Sequence, residues 1–63
     1  MILHQFFEKE SSTYTYLVAS EQTREAVLID PVASEIESYE QMLNQLNLKL
    51  VYSLDTHVHA DHV

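Results

Sequence analysis

The chain has 63 residues, a formal charge of −7 from ten Asp and Glu against three Lys and Arg, 46% hydrophobic residues, and neither Cys nor Gly. A domain of this size buries only about 60% of the surface its unfolded form exposes, and without Cys no disulfide can compensate, which leaves a metal, a partner or further chain. The acidic balance argues against nucleic acid and anionic membrane as partners, and no apolar run approaches the roughly 18 residues of a membrane span.

The opening MILHQFF has no basic start, no long apolar stretch and no small-residue cleavage site, so a cytoplasmic location is expected. Usual composition, at about 7% Gly, predicts about four in such a length, and their absence suggests that Gly-bearing loops lie elsewhere. Ile2 to Phe7 reads as a strand, followed by a polar connection from Glu8 to Ser12. Thr13 to Ala19 is a second strand, with Tyr14, Tyr16 and Val18 on one face and Thr13, Thr15 and Leu17 on the other. After a polar turn over Ser20 to Glu25, the run Ala26 to Ile29 has the apolar continuity of a strand covered on both faces, and Asp30 and Pro31 end it.

Ser34 followed by Glu37 matches a capping box, in which each side chain satisfies a backbone donor at a helix start. The spacing of Ile36, Tyr39, Met42, Leu43 and Leu46 predicts a helix over 34–47 with one core-packing stripe, closed by Asn47 in the left-handed conformation. Leu48 to Leu54 is the next strand, with Leu48, Leu50, Tyr52 and Leu54 on one side. Strand, helix and strand in this order predict a βαβ crossover of the α/β class, with two parallel neighbours whose C-terminal ends share an edge. Ligands bind at that edge in open α/β sheets, and Asp30 and the segment from Thr56 emerge there. No repeat or linker divides residues 1–63, which are expected to form one piece of a single domain.

The chemistry concentrates in Thr56-His57-Val58-His59-Ala60-Asp61-His62. In an extended segment His57 and His59 point to one side and can approach one ion, while Asp61 and His62 are available to a second ion or to the surroundings of the first. Imidazole with carboxylate suits zinc, iron, copper or nickel better than calcium or magnesium. The candidate metal ligands are therefore His57, His59, Asp61 and His62, with Asp61 also the candidate catalytic group. Asp30 either stops its strand or stands behind the metal, accepting the second ring hydrogen of a ligating His. His4 reads as an ordinary strand residue, Tyr14, Tyr16 and Tyr52 as sheet packing, and Glu8, Glu10, Glu21 and Glu25 as solvated charge. Lys9, Arg24 and Lys49 form no binding cluster for an anion.

This HxHxDH after a buried strand, with an Asp ending the preceding strand, resembles the metallo-β-lactamase superfamily over nearly the whole chain. Within it FFEKESSTYTYLV, REAVLIDPV and LKLVYSLDTHVHADHV are most similar to the persulfide dioxygenases. The glyoxalase II hydrolases, the nearest rival, usually show THHHxDH and a Gly after Asp-Pro, where this chain has Val58, Ala60 and Val32. The resemblance implies an αββα sandwich, of which these residues are an N-terminal fragment expected to be inactive alone. It implies one Fe(II) per chain on two His and one Asp, with His57 as the first ligand and the other two in segments beyond Val63. His59, Asp61 and His62 are then pocket or hydrogen-bonding residues in a dioxygenase, and metal ligands in a two-metal hydrolase.

The implied substrates are glutathione persulfide and O2, and the implied products sulfite and glutathione. The alternative is a zinc or mixed-metal thioester hydrolase acting on acylglutathione. A third reading, outside catalysis, is a short chain that binds metal loosely or self-associates as a homo-oligomer through its open sheet edge and apolar surface.

Overall fold

The computed structural model describes residues 1–56. Its elements are β1 (Ile2–Glu8), β2 (Thr13–Ala19), β3 (Glu25–Ile29), a 3-10 turn (Ala33–Glu35), α1 (Ile36–Gln45) and β4 (Lys49–Leu54). They form one four-stranded sheet in the order β1-β2-β3-β4, in which the first two pairings are antiparallel and β3 with β4 is parallel. The expected crossover is present, since α1 carries the chain between the two parallel strands.

Helix α1 covers one face of the sheet. The core there consists of Leu17 and Ala19 from β2, Ala26 and Leu28 from β3, Tyr39 and Leu43 from α1, and Leu48, with Ile2, Phe6, Met42 and Leu46 packed around it. The period-two reading of β2 identifies the faces correctly: Thr15 and Leu17 point into this core, and Tyr14 is exposed on the other side. The helical stripe also holds, except that Ile36, its first member, stays 50% exposed. The expectation that β3 is covered on both faces is not met. Ala26 and Leu28 are buried beneath the helix, whereas Val27 and Ile29 are half-buried on the face where Leu3, Phe7 and Tyr14 are exposed.

Two local expectations are corrected. The capping box is not formed: α1 begins at Ile36, after the 3-10 turn, and neither start has a side-chain cap. Ser34 lies inside that turn instead of ahead of a helix, so its hydroxyl has no first-turn amide to accept from. In β4, Leu48, Leu50, Tyr52 and Leu54 do not share a side. Ala26 pairs with Leu50 but Val27 with Tyr52, so Val51 is an extra residue, and this β-bulge turns Tyr52 and Leu54 to the face of Val27 and Ile29.

Among the described residues, four non-Gly positions have positive φ: Ser12, Arg24, Asp30 and Asn47. The turns that Gly would usually serve are thus made here by other residues. Asn47 closes α1 as expected. Its N–H donates to the Asn44 carbonyl at 3.2 Å and the Leu48 N–H to the Leu43 carbonyl at 2.8 Å, the two bonds of a Schellman motif. Leu43 and Leu48, the apolar pair that accompanies such a motif, are both in the core.

Candidate functional site

The C-terminal edge of the parallel pair is built around Asp30. At φ 58° it turns the chain out of β3 in the left-handed region, which Asp tolerates better than most residues. Its N–H still donates to the Leu54 carbonyl at 2.7 Å, so the turn begins while β3 is hydrogen-bonded to β4. Its carboxylate reaches across to the next exit from the sheet. Oδ1 accepts the Thr56 N–H at 2.6 Å, and Oδ2 accepts the Thr56 hydroxyl. Asp30 therefore ties down the residue immediately before His57.

Behind this clamp lies a buried chain of hydroxyls. Thr15 Oγ1 donates to the Asp30 carbonyl at 2.6 Å and lies 3.1 Å from the Tyr39 hydroxyl, which accepts the Val32 N–H at 2.9 Å. A threonine hydroxyl has a single proton, and here it goes to Asp30. Tyr39 must then donate to Thr15, and the order runs from Val32 N–H through Tyr39 and Thr15 to the Asp30 carbonyl. Each bond in such a series polarises the next. Thr15 is 1% and Tyr39 3% exposed, and the ring of Tyr39 packs edge-on against Phe6 at 5.0 Å, which in turn meets His4 at 4.7 Å. His4 is a packing residue here, as expected.

At the opposite end of β3, Arg24 also has positive φ, at 61°. Its guanidinium donates to the carbonyls of Leu46 and Asn47 at the C-terminus of α1, where a cation complements the helix dipole, and to the Glu21 carbonyl. Arg24 is thus committed to the scaffold, in keeping with the absence of a basic binding cluster. Glu8 departs from its reading as solvated charge. Its carboxylate accepts the hydroxyl and N–H of Ser11 and the N–H of Glu10, closing the β1–β2 turn. The Ser11 hydroxyl, then the two amides, hold its carboxyl below the ordinary value of 4.5.

His57, His59, Asp61 and His62 lie outside the described residues, and among the described residues no group of three or more His, Asp or Glu is placed to hold a metal. Of the candidate site residues the structure thus locates Asp30. What sequence reasoning missed is the polar role of Thr15 and Tyr39. Periodicity places Tyr39 on the core stripe and Thr15 on a face with Leu17, but nothing in the sequence signals that their hydroxyls meet.

No family profile matches the chain. Its similarity to individual proteins runs its full length. It is 49% identical over 63 residues to the mitochondrial persulfide dioxygenase ETHE1 of Mus musculus and 46% identical to that of Homo sapiens. It spans 25% of the length of each of these relatives. Among solved structures, ETHE1 from Myxococcus xanthus superposes on the whole chain with a TM-score of 0.90 at 56% identity, the match covering 28% of that protein. A metallo-beta-lactamase from Staphylococcus aureus superposes on 97% of the chain with a TM-score of 0.86 at 34% identity, covering 18% of that protein. The sheet and its crossover helix accordingly match part of a metallo-β-lactamase-type sandwich, and along its whole length the chain is similar to about a quarter of the persulfide dioxygenases it matches.

Proposed function

We propose that the parent protein is a non-heme iron persulfide dioxygenase that oxidises glutathione persulfide. The single observation that carries this reading is the similarity, along the whole of this chain and a quarter of the relatives, to persulfide dioxygenases at 46–49% identity. In such a reaction one persulfide, one O2 and one water give one thiol and one sulfurous acid, with the outer sulfur oxidised and dioxygen reduced. The donor set fits a transition ion, because the imidazoles of His57, His59 and His62, beside the carboxylate of Asp61, are borderline ligands that favour iron or zinc over calcium or magnesium. His57 is assigned as an iron ligand, one Fe(II) per chain, with Asp61, His59 and His62 lining the same centre. The iron would bring substrate sulfur and dioxygen together. The role assigned to this chain's own residues is to deliver His57 from a fixed point, the Thr56 backbone clamped by Asp30.

In this reading residues 1–63 are the N-terminal part of one αββα domain, and the remainder of the parent covers the face bearing Phe7, Tyr14 and Tyr52. No helix among the described residues is long and apolar enough to cross a membrane. The cytoplasmic location expected from the sequence is part of the proposal, although the mouse and human relatives are named as mitochondrial.

Purified parent protein settles the assignment through two measurements. One iron per chain by elemental analysis, with oxygen uptake on addition of glutathione persulfide, is expected. Two metals per chain with hydrolysis of an acylglutathione, and no oxygen uptake, would replace it with the thioester hydrolase.

A further inference from the structure

We infer that the Tyr39 hydroxyl is a positioning residue for the metal centre, acting through the Asp30 turn at a distance from any ligand. This rests on the proposed reading of the Thr56-His57 edge as the site of chemistry, and goes beyond it by assigning a residue outside the motif. Three features of the turn and its supports carry it.

The hydroxyl sits at the middle of a one-way series of bonds that starts and ends on the same turn, at the Val32 N–H and the Asp30 carbonyl. It therefore holds both ends of a three-residue segment whose first residue is in the left-handed region. The same Asp30 whose carbonyl is gripped from inside uses its carboxylate to grip Thr56 outside, so backbone rotation at residue 30 displaces the clamp on the residue preceding His57. Tyr39 also comes from the middle of α1, with its ring in the core and wedged against Phe6, so its hydroxyl has little freedom to follow a moving turn. Thr15 alone is a weaker anchor. Without Tyr39 it retains its bond to the Asp30 carbonyl, but the Val32 N–H loses its acceptor and Val32 is left held through its carbonyl, which accepts the Glu35 N–H at 2.9 Å.

The test is Tyr39→Phe in the full-length parent protein, which keeps the ring and removes only the hydroxyl. Leu43→Ala is its comparison, because Leu43 lies one turn further along the same helix, in the same core, and its apolar side chain can make no hydrogen bond in the hydroxyl series. Both variants lower the melting temperature of the metal-free protein. The readouts that separate them are the rate at which a chelator strips the bound metal and the electron paramagnetic resonance spectrum of the nitric oxide adduct of the ferrous protein.

Removal of a group that directly supports a ligand usually costs about 10- to 100-fold in metal affinity, and Tyr39→Phe, acting through Thr15, Asp30 and Thr56, is expected to speed metal loss roughly three- to ten-fold. It should also alter the nitrosyl spectrum, while Leu43→Ala leaves both readouts at the parent's values. Tyr39→Phe with unchanged stripping rate and spectrum overturns the inference. So does Leu43→Ala matching it in proportion to the stability lost, which would make the effect one of global loosening. If the parent proves to hold zinc, the dioxygenase reading fails while the stripping rates still decide the role of Tyr39. If the parent holds no metal, both fall.

Discussion

Strand β3 is flanked by two residues in the same unusual backbone conformation, and they solve it in opposite ways. Arg24, before the strand, has φ 61°, and Asp30, after it, has φ 58°. Each also marks an end of the ladder with β4, since the Arg24 carbonyl accepts the Lys49 N–H at 2.8 Å and the Asp30 N–H donates to the Leu54 carbonyl at 2.7 Å. A left-handed residue other than Gly costs on the order of 1–2 kcal/mol, so each corner needs compensating contacts. At Arg24 they are exposed and charged, a guanidinium on the carbonyl end of a helix, supported by the Ser20 hydroxyl accepting the amides of Gln22 and Thr23. At Asp30 the main-chain contacts are part-buried and neutral, and the carboxylate reaches across to hold Thr56. A strained corner can serve a site when its backbone is secured from the core side and its charged group reaches outward.

The largest expected effect is on the outward group. Asp30→Ala in the parent removes both acceptors for Thr56, and iron content or oxygen uptake should fall about 10- to 100-fold, the range usual for supports of metal ligands. Retention of full activity would mean the clamp has no bearing on the centre. Its counterpart is Arg24→Ala, which should cost about 1 kcal/mol of unfolding free energy through the lost guanidinium contacts at the end of α1, with metal content unchanged. Denaturant melts beside metal analysis check both halves, and a drop in bound metal would erase the contrast between the corners.

The smallest effect concerns Glu8, at the third corner. Its carboxyl is held below 4.5 in the folded chain, so the turn's contribution is complete above that value and is lost as pH falls through the lowered folded-state value. Carbon-detected NMR should find the Glu8 midpoint below 4.5, and Ser11→Ala should raise it toward 4.5, since the Ser11 hydroxyl is the foremost cause.

The legibility of these features in the sequence follows from their range. Thr13–Ala19 has the bounds expected of it because alternation along a strand is a local signal, and Asn47 ends α1 because its tolerance of the left-handed region belongs to the residue itself. Ser34 and Glu37 carry the right letters for a capping box, but the 3-10 turn set by the Val32 carbonyl accepting from Glu35 starts the helix two residues later. Tyr39 was legible as a core ring and not as a hydroxyl donor, because its partners are 24 residues back, at Thr15, and in a turn of its own. Asp30 was legible as the end of a strand. That its carboxylate meets Thr56, 26 residues on, depends on the pairing of β3 with β4 and on nothing local.

The bulge at Val51 sets the handedness of everything that follows it. One additional residue reverses the odd-even parity of β4, so a single-codon deletion there would leave composition and charge nearly intact while exchanging the two sides for every later position of the strand. Thr56 would arrive at the sheet's edge facing away from Asp30. Length between the crossover helix and the histidines is therefore as much a part of the motif as the histidines themselves, and in this stretch substitution is the milder injury.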